Sequence, residues 1–308
     1  MSRDPFPDDP RDAFGAAEPR SVRQPSRAPD AFSERPSQLA VPHETTDERE
    51  PHHPDRERSH SVRFYHARDR AYLLSDSERH TLEEVGKFRM IAVRDLEEHA
   101  YQGNGKQIET DIRRLRQQGL LRDRTLPVSQ KKTIRILTLT KAAHRLLKDA
   151  RLLPEEQAIY HGLRKPREAK HDADLYRLYR KEAARIERAG GRPLGIRLDY
   201  ELKKNLNRDL ASLGRDAQNR QRKQEIAQKH RLPLVHGRIV IPDLRIEYQS
   251  SDGELHHVDL ELATRDYRPR ALAAKAAAGF SLYSRAEDAP RLRRILDERE
   301  LTRGILAL

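Results

Sequence analysis

Two carboxylates and one lysine are the residues of this 308-residue chain best suited to chemistry. Ile241-Pro242-Asp243 opens one predicted strand, and Val258-Asp259-Leu260-Glu261 lies on the next. Acids on adjacent strands can hold one Mg²⁺, which takes oxygen ligands in octahedral geometry and keeps several waters. Such an ion can activate water and stabilise a phosphate in displacement. Lys275 is the sole lysine of an Ala-rich stretch, and an ammonium nearby would position the water or neutralise charge. The candidate catalytic set is Asp243, Glu261 and Lys275, with Asp243 and Glu261 as ligands for Mg²⁺ or Mn²⁺. Glu182 or Glu201 could add a further acid from a helix, and Arg265, Arg268 and Arg270 could meet phosphates. The same pattern also has a purely structural reading. Asp after Pro is common at turns, and period-two alternation puts Asp259 and Glu261 opposite Val258, Leu260 and Leu262. On that reading Glu261 is a solvated face residue.

Strands and helices must position this set. "RLPLVHGRIVIPDLRIEYQ" is strand-rich, Ser251-Asp252-Gly253 is a hairpin turn, and "ELHHVDLELAT" is the returning strand. "PRALAAKAAAGFSLYS" begins a helix at Pro269. Upstream, His171 through Arg188 forms a long amphipathic helix that Gly190-Gly191 ends, and "PLGIRLD" is a short strand. The polar stretch from Tyr200 to His230 reads as helical and basic. The last twenty residues read as one or two short helices. His256-His257 faces opposite ways on a strand, so one metal does not see both.

A second constellation precedes these elements. Asp76 or Ser77 caps a helix that buries Leu82, Val85 and Phe88. "IAVRDLEEHAY" forms a second helix. After the turn Gly103-Asn104-Gly105 comes a third, buried through Ile108, Ile112 and Leu115 and ended by Gly119. "RDRTLPVSQKKTIRILTLT" then alternates as a β-hairpin with a basic turn, and Thr140 caps a last helix. Three helices and a hairpin follow the winged helix-turn-helix plan, whose third helix enters the major groove of DNA. Lys106, Gln107, Thr110, Arg113 and Arg114 lie off its buried stripe, and Lys131, Lys132 and Arg135 lie on the wing. These eight are the candidate DNA-binding residues. The alternative is a winged helix used for protein contact.

Composition agrees with a polyanionic partner. The chain has 61 basic and 49 acidic residues, a net charge of +12, and no cysteine. Disulfides, thiol catalysis and Cys-based zinc sites are excluded. No stretch approaches the ~20 apolar residues of a membrane span, no phosphate-binding glycine loop occurs, and aromatics, at 5%, are too few for a stacking platform. Residues 1–70 carry ten of the 18 prolines and no apolar period, which predicts a disordered tail. The expected location is the bacterial cytoplasm. The expected partners are double-stranded DNA and replication or conjugation proteins, with no membrane and with a homodimer open.

The strand–turn–strand–helix segment around Asp243 and Glu261 resembles the PD-(D/E)XK nuclease core. Residues 75–308 resemble the replication-relaxation family of plasmids and integrative elements. The resemblance rests on the winged helix, "HDADLYRLY", "LDYELKKNLNRDLA", "IPDLRIEY" and "VDLELATRDYRPRALAAKAAAGFSLY". It implies an α+β fold: a disordered tail (1–70), a winged helix-turn-helix domain (71–150), a linker (151–170) and an α/β PD-(D/E)XK nuclease-like domain (171–308). It implies DNA binding in mobile-element replication or relaxation. Asp243 matches the first acid of the nuclease motif and Glu261 the second. The motif's lysine falls two positions after Glu261, where this chain has Ala263, and Lys275 on the next helix could take its place. Three functions are thereby open: a DNA-binding factor with a degenerate nuclease-like domain, a metal-dependent endonuclease or nickase, and a transcriptional regulator.

Overall fold

The hairpin before the first helix already departs from expectation. In the computed structural model, which describes residues 61–308 except 69, 130–131, 164–167, 213–219 and 300–303, β1 (Val62–Ala67) pairs antiparallel with β2 (Arg70–Ser75). The tail expected through residue 70 therefore overlaps a strand, and residues 1–60 lie outside the described residues. Tyr72 and Leu74 of β2 turn inward to the core, which gives this short hairpin a buried face.

Helix α1 (Asp76–Lys87) is capped by Ser75, not by Asp76 or Ser77. Ser75 Oγ accepts from the Glu78 amide at 3.2 Å, and Glu78 returns a bond to the Ser75 amide at 2.8 Å. This Ser-x-x-Glu reciprocity satisfies two otherwise orphaned donors. The second expected helix starts later, because Ile91 and Ala92 form a strand, β3 (Ile91–Ala92). Helices α2 (Val93–Ala100) and α3 (Gly105–Gln117) follow, α3 capped by Asn104. Gly119, at φ +73°, turns the chain into β4 (Leu121–Ser129). β4 pairs antiparallel with β5 (Lys132–Leu139), and β3 pairs along the far edge of β5. Thr140 caps α4 (Lys141–Asp149) as expected.

The segment after α4 is stitched to both sides. The Tyr160 amide donates to Gly86 O at 2.9 Å, while the buried Gln157 side chain exchanges bonds with the backbone of Ile196. Helix α5 (Ala169–Arg188) then lies across a five-stranded sheet. That sheet runs β12 (Ile305–Ala307), β11 (Ser281–Ser284), β10 (Leu255–Ala263), β9 (Leu244–Gln249), β6 (Arg192–Leu198). β6–β9 and β9–β10 are antiparallel, while β10–β11 and β11–β12 are parallel. A parallel neighbour requires a crossover, supplied by α8 (Pro269–Ala277) and, for the next pair, by α9 (Ala289–Asp297). Between β6 and β9 lie α6 (Asp199–Ser212), α7 (Arg220–Lys229) and the small hairpin β7 (Leu234–Val235) and β8 (Arg238–Ile239). Of the one or two short helices expected in the last twenty residues, α9 is present, while Ile305–Ala307 forms a strand, β12, with Ile305 buried beside Leu282 of β11.

The sheet is covered on both faces. Leu244, Ile246, Leu260 and Leu262 pack with Tyr176, Leu178 and Ile186 of α5, in a core that continues to Leu82, Phe88 and Leu96. Phe88 meets Tyr176 edge-on at 5.3 Å. Ala263 and Leu282 instead pack with Leu272, Leu292 and Leu296 of α8 and α9. The fold is therefore α+β. Among the described residues no helix is long and apolar enough to cross a membrane.

Candidate functional site

Alternation along β10 decides where Glu261 points. Leu260 and Leu262 face α5, so Glu261 and Ala263 face the α8 side. Glu261 is not solvated, as its alternation with Leu260 allowed, but fully buried. The helix that covers it carries Lys275, whose Nζ lies 2.8 Å from each Glu261 carboxylate oxygen and 2.6 Å from Ile241 O. Ala263 shares this face, so a lysine from α8 reaches the space that a lysine at 263 would occupy.

Asp243 stands at the start of β9, beside β10. Its amide donates to Glu261 Oε2 at 3.2 Å, and its Oδ2 accepts from the Leu262 amide at 3.0 Å. The three sequence-derived candidates thus come together. Three further groups join them that sequence reasoning did not assign. Tyr267 donates its hydroxyl to Glu261 Oε1 in a short hydrogen bond. His171, in the first turn of α5, places Nε2 3.4 Å from Asp243 Oδ2 and Nδ1 3.8 Å from Asp172. Lys203 of α6 pairs with Asp199 at 2.9 Å and is within electrostatic reach of Asp243 and Glu261. The Asp199 amide donates to the Asp243 carbonyl at 3.0 Å, which ties α6 to the site.

Charge in the cluster is internally compensated. Burial and the Asp243 carboxylate raise Glu261 to about 7, with Lys275 and Tyr267 pulling the other way. Burial would raise Asp243 too, but the His171 bond and charge, with Lys275, hold it below its ordinary value. Burial alone would lower His171, yet bonds to Asp172 and Asp243 and their charges bring it up to about 10. Burial first, then Glu261 and Asp243, push the Tyr267 phenol upward. Two acids therefore face two cations across hydrogen-bonding distance.

This donor set fits a divalent cation poorly. Mg²⁺ needs several oxygens converging on one point. Both Glu261 oxygens and Asp243 Oδ2 are already taken by protein donors, and Lys275 and His171 already supply the countercharge. Neither expected helix acid completes a shell. Glu182 accepts from Tyr283 and Arg185, and the Glu201 carboxylate interacts with Tyr160 and Arg197. Among the described residues no cluster of three or more His, Cys, Asp or Glu could hold a metal ion. His256 leans on the Tyr248 ring, 5.7 Å between centroids, and His257 lies beside Arg245 and Asp259. Arg265 and Arg270 are exposed next to the cluster.

The chain matches no family model, no curated protein and no solved structure with which it was compared.

The basic face of α3 is built differently. A buried network holds the helix: Tyr101 donates to Asp111 at 2.9 Å and is bonded to Thr81, and Gln107 donates to Asp111 at 2.9 Å. Ile108, Ile112 and Leu115 are buried beneath it. Lys106, Arg113 and Arg114 are left exposed on the outer face, and Arg116, also exposed, lies 3.8 Å from Asp123. Gln107 and Thr110 are partly occupied internally, Thr110 by a bond to Lys106 O at 2.9 Å. Lys132 is exposed at the hairpin, and Lys131 lies outside the described residues. Arg135, expected to meet a DNA backbone, makes a bidentate pair with Asp123, 2.7 Å at the shortest, and a second pair with Glu109. Its direct neighbour on β4 is Thr125 and Asp123 lies diagonally across the ladder, within reach of a long side chain.

Proposed function

We propose that this protein binds duplex DNA through a winged helix formed by α1 to β5, and that its second part is a nuclease-like fold whose acid site serves structure rather than cleavage. The observation that carries this reading is the exposed Lys106–Arg113–Arg114 face of α3, held on a buried network and flanked by the β4–β5 hairpin. Such a face suits phosphate neutralisation and groove entry. Support for the second half is topological. The order α5–β6–β9–β10–α8–β11, antiparallel twice and then parallel, follows the nuclease core, with Asp243 and Glu261 on its two central strands. The replication-relaxation resemblance adds the setting, plasmid or integrative-element replication or relaxation.

Fluorescence anisotropy on a labelled duplex tests the binding. Affinity is expected to fall steeply with salt, since each neutralised phosphate releases counterions. Absent or salt-insensitive binding overturns the proposal. Supercoiled plasmid is expected to survive incubation with Mg²⁺ or Mn²⁺. A second reading, a metal-dependent endonuclease, is favoured by one observation, the delivery of Lys275 to Glu261. Nicking that disappears in both Asp243→Ala and Glu261→Ala would establish that reading instead.

A further inference from the structure

A cleft of about 390 Å³ opens beside the acid site, between α4, the 158–162 segment and α6. This volume falls in the range of small-molecule pockets. Its walls carry Arg89, Lys204, His144 and His161 against one acid, Glu201. The two imidazoles lie 4.8 Å apart. Burial lowers His144, and the neighbouring His161, Lys148 and Arg145 lower it further, as a positive local potential requires. Burial raises the Glu201 carboxyl against the pull of Arg197, so the one acid is weakened as a repellent of anions. The cleft therefore offers an anion the cations Lys204 and Arg89, and the two imidazoles as hydrogen-bonding groups.

It is also aromatic. Tyr200 is 46% exposed and has the Arg89 guanidinium 5.3 Å from its ring centroid. Arg89 is pre-set by Asp172 at 3.6 Å, Glu168 at 3.7 Å and Asp199 at 4.0 Å. Tyr160 Oη and Glu201 Oε2 are buried at the wall and interact with each other, which gives the cleft a polar side. Asp199 connects the cleft to the acid site, because its amide bonds Asp243 O and its carboxylate pairs with Lys203.

We propose that this cleft binds one nucleotide unit, its base stacked on Tyr200 and its phosphate held by Lys204, Arg89 and the His144–His161 pair. A flat π-face, cations and a buried polar wall together match a nucleoside monophosphate better than a bare anion, which has no use for the ring. The unit is either a free nucleotide or the unpaired end of a DNA strand; the second form rests on the DNA-binding reading.

Calorimetry with the full chain tests the cleft, using dAMP, inorganic phosphate, a blunt duplex and the same duplex with a short 5′-phosphorylated overhang. The overhang duplex is expected to bind about tenfold tighter than the blunt one, the scale of one base–aromatic stack. Tyr200→Ala should remove that gain and leave blunt-duplex affinity unchanged, while Tyr200→Phe retains it. The exposed ring makes either variant compatible with folding. Binding of dAMP, stronger than phosphate and lost in Tyr200→Ala, without an overhang gain assigns the cleft to a free nucleotide. Binding of dAMP with no duplex binding at all sinks the DNA reading and keeps the cleft. If neither dAMP nor the overhang gains over phosphate and blunt duplex, the inference is overturned.

Discussion

Two clusters of charge are built on opposite principles. On α3, Arg113 and Arg114 stand exposed above a base hydrogen-bonded around Asp111. On the β9–β10 strands, Asp243 and Glu261 are buried with Lys275 and His171 set against them. Charge left uncompensated at a surface is available to a partner. Charge compensated in the interior is committed to the fold, since removing one member leaves the other buried alone. On the proposed function, a partner meets the first region, and the second belongs to the fold.

Lys275→Met breaks this contrast most severely. Above about pH 7, where Glu261 ionises, its carboxylate would keep its burial and lose its cation, which costs about 3–5 kcal/mol for a buried pair. Urea unfolding is expected to show that loss. Lys275→Met combined with Glu261→Gln should recover a substantial part of it, because no lone carboxylate is then buried. A loss under about 1 kcal/mol, the worth of an exposed pair, would show that the site is solvated and the comparison false.

Arg113→Ala with Arg114→Ala tests the other side. Folding should be preserved, because both side chains are exposed. Duplex affinity is expected to fall, and the slope of log affinity against log salt to shrink by about two, one per lost phosphate contact. An unchanged slope would remove α3 from the DNA surface.

How much of this was readable beforehand differs between the regions. The periodicity of Ile108, Ile112 and Leu115 identified the α3 face directly, because helix period alone decides which residues point out. Period two along β10 likewise separated Glu261 from Leu260. It could not tell that the Glu261 face is covered, because cover comes from the parallel crossover through α8. The isolation of Lys275 among alanines was the one local hint. His171 is far from Asp243 in sequence, and only the packing of α5 on the sheet joins them. Two-residue β3 is too short to carry a period. Arg135 alternates like a surface residue, and nothing local announces its pairing with Asp123 and Glu109.

Acidity gives a subtler separation. Glu261, raised from 4.5 to about 7, holds a proton in the folded chain that the unfolded chain releases above 4.5. Its contribution to stability therefore declines as pH rises from about 4.5 to about 7. His171, raised from 6.5 to about 10, contributes fully below 6.5, and that contribution is lost as pH climbs to about 10. Asp243, lowered from 3.8, acts in reverse and loses its contribution as pH falls below 3.8. Denaturant unfolding between pH 6.5 and 10 is expected to decline in the wild type and to flatten in His171→Gln. Equal slopes would mean that His171 is not held by Asp243.

The smallest effect sharpens the comparison most, because Arg135 belongs to the first region yet is built like the second. It sits on the hairpin beside α3, but Asp123 and Glu109 already claim its donors. Arg135→Ala should therefore weaken duplex binding by no more than about threefold, the scale of a partly exposed pair. Lys132→Ala, three residues earlier on β5 at an exposed position, should reduce the salt slope by about one. If Arg135→Ala costs as much affinity as the Arg113 and Arg114 changes together, DNA must pull Arg135 out of its pair. Internal compensation would then be no guide to which charges a partner can reach, and the Lys275–Glu261 pair would lose its structural assignment by the same argument.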